Sequence, residues 1–351
     1  MKPQQRSPIP PERKKTRGTD MPELRRDPII GRWVIIASER RARPSDYKPE
    51  AHQIDDASKC PFCPGKESST PPEVLAYHPP GREPNKQGWW VRVIPNKYPA
   101  LDPAGKIKRR GDGMYDQMDG VGVHEVIIET PKHVQHFSDM EPQKAQDIFW
   151  AYRDRMVALK KDTRLQYALI FKNYGREAGA TLSHSHSQLI ALPMVPINVR
   201  QEMDGALHYY NYKERCVFCD MIREEQRFAE RIIGENENFI AIEPYASRFQ
   251  FETWVLPKNH VGHFEKLTET ELRQFTALMQ DSMGKIKNVM GDPPFNWMVH
   301  TMPLDQPEAT HYHWHIEIIP KINQVAGFEW GSGCYINPMP PELAAKLLNQ
   351  A

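Results

Sequence analysis

Apolar residues fall along this chain in two rhythms, and the changes between them predict its elements. Short apolar runs of strand length stand at 32–36, 126–129, 189–192 and 253–256, built mainly from Val, Ile, Leu and Trp. Between them, 141–161 and 268–290 read as two longer helices. The segment His184-Ser185-His186-Ser187-Gln188 leads into the apolar run 189–192 and is closed by Pro193. Alternate residues of a strand share a face, so His184, His186 and Gln188 point one way and Ser185 and Ser187 the other. The Gly-containing stretch 175–180 predicts a turn that delivers this strand to a site.

The same order of elements occurs twice. Pro131-Lys132-His133 follows the run at 126–129, and Pro257-Lys258-Asn259-His260 follows the run at 253–256, with one inserted residue. Each is followed by a helix, a strand and a histidine-rich strand, at 184–193 in the first half and 311–320 in the second. The expected units are residues 21–200 and 201–351. Residues 1–20 are basic, proline-containing and without apolar periodicity, which reads as a disordered tail. Met21 is read as a possible natural start.

Cysteine spacing follows the repeat. Cys60-Pro61-Phe62-Cys63 and Cys216-Val217-Phe218-Cys219 have one spacing, and Cys334 stands alone. The chain has no leader-like apolar segment and no apolar run long enough to span a bilayer, so a reducing, cytoplasmic setting is expected, in which paired thiols hold metal. A redox dithiol is the weaker reading, because neither pair sits in a thioredoxin-like βαβ pattern. Zinc prefers four tetrahedral sulfur and nitrogen ligands. Cys60, Cys63, His133 and His184 make one quartet; Cys216, Cys219 and His260 make most of another, with His311 or His313 as its fourth member. Two zinc ions per chain are expected. The net charge of +1 provides no field to recruit nucleic acid or a membrane surface, and the 32 prolines fit a loop-rich fold.

Taken in order, Cys-x-x-Cys, the Pro-Lys histidine, Asn173-Tyr174-Gly175, His184-Ser-His186-Ser-Gln188 and Gly327-Phe328-Glu329 resemble the galactose-1-phosphate uridylyltransferase branch of the histidine-triad superfamily. The likeness runs from Met21 onward and is closest to the subgroup that includes plant ADP-glucose phosphorylase. It implies an α+β fold: a duplicated histidine-triad-like unit, two antiparallel half-barrel sheets with flanking helices. It makes His186 the nucleophile, a role that suits a neutral imidazole near its ordinary pKa of about 6.5. The implied reaction is ping-pong transfer of a uridylyl group from UDP-glucose to a hexose 1-phosphate, galactose 1-phosphate, through a nucleotidyl-histidine. Gln188 replaces the third histidine of the hydrolases; an amide donates to a phosphoryl oxygen but does not act as acid or base near neutrality.

The resemblance further implies Arg40 and Arg43 near the phosphates, and Phe62, Asn96, Asn173 and Ser185 around the nucleotide. Gly327, Phe328 and Glu329 would reach the sugar in a neighbouring subunit's site, which implies a homodimer. It favours His313 over His311 in the second quartet, leaves iron open there, and makes His300 a further candidate ligand. Lys97 stands where familiar uridylyltransferases carry an acidic residue. The alternatives are ADP-glucose phosphorolysis by adenylyl transfer, a nucleotide hydrolase drawing on His311, His313 and His315, and a zinc-stabilised nucleotide-binding protein without turnover.

Overall fold

The computed structural model describes residues 21–38, 54–322 and 325–351. The expected tail at 1–20, and with it Arg40 and Arg43, lies outside the described residues. In chain order the first half contains β1 (Glu23–Arg26), β2 (Trp33–Ile36), β3 (Leu75–Tyr77), β4 (Val91–Pro95), β5 (Arg109–Asp112), β6 (Tyr115–Met118), β7 (Val123–Ile128), helix α1 (Pro142–Leu159), β8 (Tyr167–Tyr174) and β9 (His186–Leu192). Helices α2 (Ile197–Lys213) and α3 (Val217–Phe228) lead to β10 (Ile232–Glu235), β11 (Phe239–Ile242), β12 (Thr253–Pro257), α4 (Glu269–Met290), β13 (Phe295–His300) and β14 (His315–Pro320). The chain then forms α5 (Gly327–Ser332), β15 (Tyr335–Asn337) and α6 (Pro341–Leu348).

Ten strands form one sheet in the order β3-β4-β7-β9-β8-β13-β14-β12-β11-β10. Every neighbouring pair is antiparallel. Outward from the central pair, β9, β7, β4 and β3 on one side mirror β14, β12, β11 and β10 on the other. The two halves therefore do not stay apart as two sheets. Residues 170–174 of β8 pair with 295–299 of β13, where Trp297 lies opposite Lys172. A local alternation pattern specifies which face of a strand is buried; which two edges meet is a tertiary choice.

Helices α1 and α4 cover one face of the sheet. In α4 the buried positions Leu272, Phe275, Met279, Met283, Ile286 and Met290 repeat at helical spacing. Thr268 and Glu271 close its first turn in a capping box, and Gly291, at φ 73°, ends it in the left-handed conformation. Helix α1 starts at Pro142 and buries Ile148, Phe149 and Tyr152. Phe149 and Phe275 meet with ring centroids 4.8 Å apart, above the fully buried Trp297 and Trp314. This apolar layer takes Leu189 and Ala191 of β9 and Ile316 and Ile318 of β14. Strand alternation then turns the histidines of both strands to the opposite face. Among the described residues, no helix is long and apolar enough to cross a membrane.

Candidate active site

His186 opens β9 opposite Ile128 of β7. Its Nδ1 lies 2.7 Å from the carbonyl oxygen of His184. A carbonyl only accepts, so Nδ1 carries the proton and Nε2 keeps its lone pair. Burial, together with the positive charge of Lys172, holds the imidazole below the usual histidine pKa despite that hydrogen bond, so the ring is neutral at neutral pH. The ring of Phe62 meets His186 edge-on at 5.4 Å.

A polar group lies beneath the strand. Ser185 Oγ donates to Glu129 at 2.7 Å, and Lys172 Nζ donates to Ser185 Oγ at 2.9 Å and to the His186 carbonyl at 3.3 Å. Lys172 and Glu129 form a buried ion pair, and Ser187 joins Glu129 to Tyr152 of α1. Burial opposes the Glu129 charge, but Lys172 and the two serine hydroxyls outweigh it and hold the carboxyl below its ordinary range. The backbone on both sides of His186 is thus tied to a satisfied ionic network.

His186 and Gln188 form part of the floor of a cleft of about 390 Å³ that Phe62, Ile94, Asn96 and Lys97 also line. Asn173 lies with His186 in a smaller adjoining pocket, where its Oδ1 accepts from Asn296 Nδ2 at 2.7 Å across the β8–β13 seam. Asn173 and Gln188 each have the amide oxygen tied down, Gln188 Oε1 by His124 Nε2 at 2.9 Å, and the NH₂ end available to a ligand. The arrangement offers a bare imidazole nitrogen next to amide donors, in a space walled by apolar side chains.

Two groups of four donors flank the strands. Cys60, Cys63, His133 and His184 place their ligand atoms within 4.8 Å of one another, and so do Cys216, Cys219, His260 and His313. The closest sulfur–nitrogen contacts are 3.4 and 3.6 Å in the first group and 3.5 and 3.7 Å in the second. A tetrahedron with ordinary zinc bond lengths has sulfur–nitrogen edges of about 3.6 Å. In every case the facing nitrogen is Nδ1, while Nε2 lies against a carbonyl: Thr130 for His184 at 2.8 Å, Asp55 for His133 at 2.7 Å, Ala309 for His260 at 2.8 Å and Pro257 for His313 at 2.7 Å. Those carbonyls fix the tautomer that leaves Nδ1 free to bind a metal. Of the two candidates left by spacing, His313 joins the second group and His311 does not.

The galactose-1-phosphate uridyl transferase N-terminal domain model matches residues 14–196, and a domain of unknown function (DUF4921) matches 122–350. The chain is 38% identical over 335 residues to ADP-glucose phosphorylase of Arabidopsis thaliana, an alignment that covers 94% of this chain and 93% of the other. The chain belongs to the galactose-1-phosphate uridylyltransferase family. Galactose-1-phosphate uridylyltransferase of Thermotoga maritima is 27% identical over 94% of this chain and 98% of its own length. The crystal structure of Arabidopsis thaliana ADP-glucose phosphorylase with bound ADP-glucose superposes with a TM-score of 0.79 at 36% identity, covering 94% of this chain and 99% of that one.

Against the expectations drawn from this enzyme family, His186, Gln188, Phe62 and Asn96 come together at one cleft, with Asn173 and Ser185 in the pocket beside it. Gly327, Phe328 and Glu329 do not line either cavity; they start the exposed helix α5, where Glu329 accepts from the Ala326 N–H at 3.1 Å. The second histidine strand is no open triad. His315 repeats the geometry of His186, with Nδ1 3.2 Å from the His313 carbonyl, but its Nε2 stands 3.2 Å from Glu202. Its ring is fully buried, stacked on Trp254 and His300 with 4.9 Å between centroids in both cases. Glu202, His300, His315 and Glu317 form a third donor group, in which Arg248 already pairs with Glu317.

Sequence reasoning missed His124, Glu129, Lys172 and Tyr152. The signal for two of them was present, since Lys172 interrupts the apolar strand β8 and Glu129 directly follows the apolar end of β7, and unpaired charges are not buried.

Proposed function

We propose that this protein transfers a nucleotidyl group from a nucleoside diphosphate hexose, through a covalent nucleotidyl-His186, to a phosphate acceptor. The observation that carries the reading is the imidazole itself: Nδ1 is bound to the His184 carbonyl, and Nε2 is bare and neutral at the cleft. In the first step Nε2 attacks the α-phosphorus and forms a P–N bond. The bond to the bridging oxygen breaks, and sugar 1-phosphate leaves with the electron pair. In the second, a phosphate oxygen of the acceptor attacks the same phosphorus and the P–N electrons return to Nε2. Gln188, Asn96 and Asn173 are assigned to the nucleotide and its phosphates, Phe62 to a wall of the pocket, and Arg40 and Arg43 to phosphate charge. An amide at Gln188 does not deprotonate water, which favours transfer over hydrolysis.

Two acceptor chemistries fit this site. Uridylyl transfer from UDP-glucose to galactose 1-phosphate is supported by the family model and the Thermotoga maritima relative. Phosphorolysis of ADP-glucose is favoured by the higher identity to ADP-glucose phosphorylase and by Lys97, which brings a cation to the cleft. Incubation with UDP-glucose and ADP-glucose separately, read by intact mass, tests the common step; discharge of the adduct by galactose 1-phosphate or inorganic phosphate then separates the two. Absence of any adduct on His186 overturns the reading.

Both cysteine–histidine quartets are assigned to zinc, which supplies a structural crosslink when bound. The first would hold His184, two residues from the nucleophile; the second, with the same soft donors, gives iron no advantage. The reading includes the duplicated histidine-triad-like unit, divided near residue 200, whose strand order each side of the β8–β13 seam supports it. It also includes a cytoplasmic homodimer in which Gly327, Phe328 and Glu329 reach the partner's sugar site, in line with their exposed position away from the cleft of their own chain.

A further inference from the structure

We infer that His124 is a positioning residue that decides which end of the Gln188 amide faces the α-phosphoryl group; the inference rests on the nucleotidyl-transfer reading and adds a residue to it. Strand β7 places His124 opposite Ile190 and Val126 opposite Gln188, so His124 and Gln188 are diagonal neighbours on one face of the sheet. That is the face of His186.

The imidazole of His124 is held from both sides. The backbone N–H of Ala100 donates to Nδ1 at 3.3 Å, and Nε2 lies 2.9 Å from Gln188 Oε1. A backbone N–H cannot turn round to accept, so Nδ1 keeps its lone pair and the hydrogen sits on Nε2. Nε2–H then donates to Oε1, which leaves the NH₂ end of Gln188 for the cleft. Asn96 stands beside the pair: its Oδ1 accepts from the Tyr98 N–H at 2.9 Å, and its Nδ2, which only donates, lies 3.1 Å from His124 Nε2 without a hydrogen bond to it in this tautomer.

The opposite tautomer would let Asn96 donate to Nε2, but it would point an Nδ1–H at the Ala100 N–H. It would also leave Oε1 without its donor and allow the amide to turn its oxygen toward the substrate. An amide oxygen beside a phosphoryl oxygen repels it where an amide N–H would stabilise it. A glutamine in this position is useful for charge stabilisation only if something fixes its orientation. His124 is the group in contact with Oε1 that does so.

The test measures the rate of nucleotidyl-His186 formation by intact mass, together with the imidazole ¹⁵N resonances of His124. Removal of a charge-stabilising donor costs about 100- to 1000-fold. Loss of the group that only orients it is expected to cost about 10- to 100-fold in His124→Leu, with KM within about threefold of wild type. His124→Gln, which keeps a donor near the Nε2 position, is expected to recover most of the rate. In a Gln188→Ala background, His124→Leu is expected to have no further effect, because the group it orients is gone. The ¹⁵N spectrum should show the Nε2–H tautomer, and its Nε2 resonance should move in Gln188→Leu. Additive losses, an Nδ1–H tautomer, or an Nε2 resonance indifferent to Gln188→Leu would each overturn the assignment. A wild-type protein that forms no adduct with either nucleotide sugar overturns the nucleotidyl-transfer reading instead, and the ¹⁵N measurements, which need no substrate, then decide the role of His124.

Discussion

The reactivity assigned to His186 depends on its own strand, since the His184 carbonyl that fixes its tautomer is two residues away. His186→Ala is therefore expected to abolish the adduct while both metal groups stay filled, and His186→Gly to regain turnover with added imidazole. An adduct on the alanine variant, seen by intact mass, contradicts the assignment. The ion pair below has a different role. Lys172→Met would strand the carboxylate of Glu129 in the interior, a change expected to cost about 3–5 kcal/mol in urea unfolding; a loss under about 1 kcal/mol would mean that water reaches Glu129. At this scale the sequence was informative where chemistry repeats at a spacing, as with the cysteines and the Pro-Lys histidines. It was silent on His124, because one histidine in a strand looks the same whether it faces solvent or a glutamine.

At the scale of elements, the helices over 141–161 and 268–290 match α1 and α4 to within two residues, because an apolar stripe and a cap are local properties. Helices α2 and α3 were not read. α3 begins at Val217 with Cys216 as its cap, so a metal-ligand spacing occupies what would otherwise carry a helix-start signal. Strand β9 begins at His186, later than the motif suggested, since His184 is drawn aside toward Cys60 and Cys63. Cys60→Ser is expected to lose one metal ion per chain and the adduct with it; Cys216→Ser should lose the other ion and mainly stability. Metal analysis beside the adduct assay checks both. His300, the last residue of β13, gives a pH test. Burial disfavours its charge, but Glu202 and Glu317 outweigh this and raise it to about 9. Its raised value means that its contribution to stability is complete below the ordinary histidine pKa of about 6.5 and fades as pH rises through about 9. The Tm difference between wild type and His300→Gln should shrink across that window, and a constant difference would show that His300 is neutral in the fold.

For the whole molecule, the proposed exchange of Gly327, Phe328 and Glu329 between subunits makes a mixing experiment decisive. His186→Ala and Glu329→Ala should each be inactive alone. After equal mixing and subunit exchange, half of the dimers pair one of each and contain one complete site, so activity should return to about a quarter of wild type. No recovery, with mixed dimers present by mass, would place Glu329 in its own chain's site, and a Glu329→Ala protein active alone would place it outside any. The seam between β8 and β13 has a consequence of another kind. A chain ending after Pro193 would leave β8 as a bare edge, with unpaired backbone groups and a ready antiparallel template. The surface that satisfies it in the intact protein belongs to a segment with the same plan, so two half-length chains would have to find each other by diffusion, and their union would depend on how much of each was present. The stretch from α2 to α3 removes that dependence: it gives one half a permanent local concentration of the other, and the part of the site that one chain builds beside the seam stays assembled at any dilution.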